Sequence, residues 1–106
     1  MPSNLKFKAG VIVPKVVIIA AAVINAANEV SIAGDVTVTS GSDPGHMPGS
    51  KHYTNEALDI RSKTVPTAQK RQWLAVIKRR LGRDYDCILE YEGKPQEHFH
   101  IEYDPK

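Results

Sequence analysis

The segment HFHIEY, residues 98–103, alternates two kinds of side chain with a period of two, and this restricts the possible fold more than any other feature of the chain. In an extended strand successive side chains point to opposite faces, so His98, His100 and Glu102 share one side while Phe99, Ile101 and Tyr103 share the other. The segment ALDIR, residues 57–61, repeats the pattern, with Leu58 and Ile60 opposed to Ala57, Asp59 and Arg61. Such strands belong to a sheet with one dry face, and that face needs a cover.

Two segments can provide the cover. TAQKRQWLAVIKRRL, residues 67–81, places Leu74, Ile77 and Leu81 on one helical stripe flanked by Trp73, and Gly82 supplies a stop. The run VVIIAAAVI, residues 16–24, follows Lys6, Lys8 and Lys15 and so imitates a secretory signal. It is nine residues long, against the roughly 20 that a bilayer span needs. Pro14 suits a first helical turn, the alanines favour helix, and Asn25, Asn28 and Glu29 mark a polar edge and an end, so a buried helix is expected. VTVTS, residues 36–40, should be a further strand, followed by an irregular loop dictated by Gly41, Pro44, Gly45, Pro48 and Gly49. DCILEYE and HFHIEY, joined by GKPQ, form a hairpin pattern. Helices flanking a small, mostly antiparallel sheet define an α+β class.

A chain of 106 residues fits one domain, residues 1–106. Hydrophobic residues at 42% and charged residues at 25% fall within ordinary globular usage and exclude a disordered or fibrous chain. The net charge of +2 gives little reason to expect a nucleic-acid partner, since the basic residues are spread out apart from KRQW and KRR in one helix. That helix, KRQWLAVIKRR, is the only segment offering a nucleic-acid contact, and steep salt dependence would accompany it. The single cysteine, Cys87, lies within the apolar stretch CIL and reads as a packed side chain; it forms no internal disulfide framework. A monomer without stable membrane insertion is expected, synthesised in the cytoplasm.

Histidines and carboxylates concentrate in two places. The stretch SGSDPGHMPGSKHYTNEALDIRSK holds His46, His52, Asp59 and their neighbours, and QEHFHIEYDPK holds His98 and His100. Between His52 and Asp59, Asn55 tolerates a left-handed turn that would let the chain double back. A carboxylate inside an alternating strand, as Asp59 is, needs a cation when partly buried. Two imidazoles and one carboxylate, His52, Asp59 and one of the C-terminal pair, are ligand types that hold a tetrahedral zinc with its fourth position left to water.

At these residues the chain resembles the M15 family of zinc peptidases. SKHYTNEALDI is similar to that family's S-x-H-x-x-G-x-A-x-D signature, and EHFHIEY to its closing E/D-x-x-H element. The family includes D-alanyl-D-alanine carboxypeptidases and dipeptidases and the L-alanyl-D-glutamate endopeptidases of phage lysis, and it shares a fold with the Hedgehog signalling domain. The resemblance implies Zn2+ on His52, Asp59 and His100, Glu97 as general base, and His98 assisting the transition state. The substrate implied is the stem peptide of bacterial peptidoglycan, cut at an amide, with the cell wall as the place of action. Asn55 stands where the motif has glycine, and the arginine that some members place before the first motif is absent. Oxyanion stabilisation is therefore left unassigned, with His46, Arg61 and His98 as its candidates, and His46, Arg61 and Tyr53 are the expected substrate-binding residues. A non-catalytic zinc-containing module of the same fold, recognising wall peptide or a protein partner, is the alternative expectation.

Overall fold

A computed structural model describes residues 5–40 and 56–106 of the chain. Its elements are α1 (Lys15–Glu29), β1 (Val38–Ser40), β2 (Ala57–Arg61), α2 (Thr67–Leu81), β3 (Tyr85–Glu90) and β4 (His98–Tyr103). The strands form one sheet in the order β1-β2-β4-β3, and every neighbouring pair is antiparallel. The α+β class expected from the sequence is the class observed.

Both helices pack on the same face of the sheet. Leu58 and Ile60 of β2 and Phe99 and Ile101 of β4 meet Ile19 and Val23 of α1 there, with Trp73 and Ile77 of α2 completing the cluster. Trp73 is the pivot, 1% exposed, with its ring edge-on to Phe99 at 5.0 Å between centroids. Its indole N–H, which would be costly to bury unpaired, donates to the Val23 carbonyl at 3.1 Å and so ties α2 to α1. The apolar run of residues 16–24 is thus a core helix, as its composition suggests. In α2 the buried stripe runs through Lys70, Trp73 and Ile77, while Leu74 and Leu81 lie on its flank. This shifts the expected stripe of Leu74, Ile77 and Leu81 towards a face that carries a lysine.

Helix ends follow from local chemistry. The Pro14 carbonyl accepts the first amides of α1, from Val17 and Ile18. At the other end Ser31 adopts φ 59°, with the Ser31 amide on the Asn28 carbonyl and the Ile32 amide on the Ala27 carbonyl. That pair of bonds is a Schellman closure, in which glycine usually occupies the left-handed position. α2 ends at Gly82, φ 83°, as its position predicts.

Candidate metal and substrate site

Strand pairing brings Asp59, Arg61, His98 and His100 together on the face opposite the helices. Asp59 stands directly across from His100 and Arg61 across from His98 in the β2–β4 ladder, while Glu90 faces His98 in the β3–β4 ladder. Directly opposed residues on one face have Cβ atoms about 5 Å apart, close enough for side chains to meet. The Asp59 carboxylate lies 2.8 Å from His100 Nδ1, and Glu102 lies 2.9 Å from His100 Nε2. A carboxylate can only accept, so both ring nitrogens of His100 carry protons in this arrangement. The hydrogen bond to Asp59 outweighs the effect of burial and, with help from Glu102, pushes the His100 pKa up to about 9.

His98 occupies the next position of the same face. Its Nδ1–H donates to the Gln96 carbonyl at 2.9 Å, which turns Nε2 towards Glu90 at 3.2 Å and towards Asp59 at 3.8 Å. Arg61, exposed and opposite His98, borders a hollow of about 210 Å³ that also touches Thr39, Lys63, Gln96 and His98. A second hollow, bordered by Trp73, Gln69 and Asp35, touches neither Asp59 nor His100.

Glu97, the base that the resemblance implies, keeps the parity of Phe99 and turns to the helix-covered side, where it is 4% exposed, while still bordering the hollow beside Arg61 and His98. One oxygen accepts from Lys70 Nζ at 2.9 Å and from the Gly93 amide at 3.0 Å; the other accepts from the Ser62 hydroxyl at 2.6 Å. Burial alone would raise its pKa, but the Lys70 and Ser62 hydrogen bonds and the Gly93 amide overcome this and hold it down to about 2. A carboxylate so stabilised in its charged form is a poor acceptor of a proton. Lys70 was not recognisable as its partner from sequence, although spacing puts it on the face of Trp73 and Ile77.

His46, His52 and Tyr53 lie outside the described residues. Cys87 is buried in the core, and burial pushes its thiol up to about 11, as befits a packed side chain.

A third grouping emerges at the far end of the same face. Asp86, Glu102 and Asp104 each bring an oxygen within 4.8 Å of the others and could hold a metal ion. It is an all-carboxylate set, of the kind that suits hard cations better than zinc. Lys106 already sits against it, 2.9 Å from Asp86 and 3.3 Å from Asp104.

Asp59 and His100 supply one carboxylate and one imidazole, two of the donor types that zinc accepts. Two ligands ~2.1 Å from a tetrahedral ion stand ~3.4 Å apart. The observed 2.8 Å is a hydrogen bond, shorter than that separation. Glu102 on the second ring nitrogen is the outer partner that metal-bound histidines commonly have. No family model, curated protein or solved structure matches the chain.

Proposed function

We propose that this protein is a zinc-dependent peptidase acting on the peptide part of bacterial cell wall, with Asp59, His100 and His52 holding the ion. The observation that carries this reading is the meeting of Asp59 and His100 at 2.8 Å, from strands 41 residues apart in sequence. When bound, zinc would polarise a scissile carbonyl and acidify a water. The residues around it have separate tasks. Glu102 orients the His100 ring through Nε2. His98, anchored at Nδ1 by the Gln96 carbonyl, presents Nε2 to the same space, where it would take the proton of the attacking water and pass it to the departing amine. Arg61, across the ladder from His98, orients a substrate carbonyl or carboxylate. Among the described residues no helix is long and apolar enough to cross a membrane.

The test has two parts. Purified protein should carry about one zinc per chain, measured by elemental mass spectrometry, and chelation should abolish release of products from defined stem peptides. Normal zinc content in Asp59→Asn together with His100→Ala would remove the site. A second reading draws support from the Lys70–Glu97 pair: with the expected base sequestered on the other face, the same fold would retain zinc and bind wall peptide without cutting it. Muropeptides recovered intact after incubation, with zinc still bound, would decide for that reading.

A further inference from the structure

The N-terminal ridge carries chemistry that the proposed site does not use. Asn25, buried within α1, clamps the backbone of Leu5 from both sides: its Oδ1 accepts the Leu5 amide at 2.6 Å and its Nδ2 donates to the Leu5 carbonyl at 2.7 Å. Since the chain enters α1 at Lys15, residues 5–14 must run back alongside the helix from Asn25 to its first turn. A turn closed by the Val11 amide on the Lys8 carbonyl, with Gly10 at φ 88°, then projects the next residues outward.

What the ridge displays is apolar. Ile12 is 98% exposed, Val11 54% and Leu5 51%. Phe7 is also exposed, as are Val17 and Ile24, which are seven apart on α1 and so share one side of the helix. Leu5, Val11 and Ile12 keep more than half of their surface in water and Phe7, Val17 and Ile24 about two fifths, so much apolar area here is left unused by burial. Lys6 and Lys8, both exposed, alternate with Leu5 and Phe7. No aspartate or glutamate occurs in the first 28 residues, and Glu29, the first to follow, is held by Arg79 and Arg80.

We infer that this ridge binds the surface of an anionic lipid bilayer, with Val11, Ile12 and Phe7 entering the interface and Lys6 and Lys8 meeting the headgroups. Apolar side chains flanked by lysines are the composition of interfacial elements. The 15-residue helix beside it is ~22 Å long, shorter than the ~30 Å hydrocarbon layer. The ridge therefore lies on the membrane and does not span it. A second copy of the chain is the poorer occupant, because a two-fold contact on this ridge would set Lys6 and Lys8 against themselves. The inference does not depend on the zinc site.

Co-sedimentation of the intact protein with vesicles tests it. Phosphatidylcholine vesicles containing roughly one quarter phosphatidylglycerol should pull the protein down at low salt, pure phosphatidylcholine vesicles far less, and added salt should release it. Lys6→Gln with Lys8→Gln should weaken partitioning roughly thirtyfold, and Val11→Ser with Ile12→Ser at least about tenfold. All four positions are exposed, so circular dichroism should be unchanged in both variants. Absence of binding to the anionic vesicles would overturn the inference, as would equal binding to both compositions. A lipid-independent dimer in sedimentation velocity, abolished by the Val11→Ser and Ile12→Ser pair, would assign the ridge to a second copy instead.

Discussion

His100 sits between two carboxylates, Asp59 at 2.8 Å and Glu102 at 2.9 Å, and the Nδ1 proton that His100 donates to Asp59 would have to leave before a metal could take its place. This has a consequence for the metal-free protein. The His100 pKa rises from 6.5 to about 9 on folding, so its contribution is fully present below pH 6.5 and is lost as pH climbs through 9. The ring side chain is 18% exposed, and the contribution should be on the order of 2–3 kcal/mol. With chelator present, urea midpoints of wild type and His100→Asn should differ most near pH 6 and converge above pH 9. A gap of constant size would show that His100 is not charged in the fold.

Zinc must compete with that proton. Affinity, measured against a chromogenic chelator, should climb about tenfold per pH unit up to pH 9 from the His100 proton alone, then level off. A flat profile between pH 7 and 9 would place the ion away from His100. Glu102→Gln should weaken zinc binding by about 10- to 100-fold by loosening the ring's second anchor.

The Lys70–Glu97 pair predicts a different signature, in stability. Lys70→Met leaves a buried carboxylate without its cation and should cost roughly 3–5 kcal/mol, and Glu97→Gln in the same background should recover part of that loss. The Glu97 pKa is lowered from 4.5 to about 2, so its contribution is present above pH 4.5 and disappears as pH falls through 2. Thermal melts of the two variants settle the role of Glu97. If Glu97→Gln by itself left the melting temperature unchanged and stopped turnover, the residue would belong to catalysis and not to the core.

Ser31 holds a left-handed conformation in the Schellman closure of α1, at φ 59°. Replacement by glycine removes that strain at the expense of a more flexible unfolded chain, and should raise stability by roughly 0.5 kcal/mol. Ser31→Val, a β-branched residue with no ease in that region, should lower it by more than 1 kcal/mol or so. Chemical denaturation of both variants checks the pair.

Much of the fold was legible because its signals are local. The boundaries of β2, α2 and β4 follow from alternation in ALDIR and HFHIEY and from the helical period ending at Gly82. The α1 run could be told from a membrane span by its length. Lys70 escaped notice because a lysine inside KRQW reads as one more solvated charge. Only its spacing of three and seven from Trp73 and Ile77 hinted that it points inward. Glu97 shares the parity of Phe99 in the sequence, and in the fold it keeps that parity up to the strand's edge.

By itself the sequence determined which side chains share a face, since alternation along a strand and periodicity along a helix depend on neighbours a few bonds away. Only the tertiary structure decided which faces meet. Asp59 reaches His100 because β2 pairs with β4 in one register, and Glu97 reaches Lys70 because α2 packs on the other face of the sheet. Those contacts join residues 41 and 27 positions apart, and they are set by the burial of Trp73, Phe99 and Ile60 together, a collective requirement that no short segment contains.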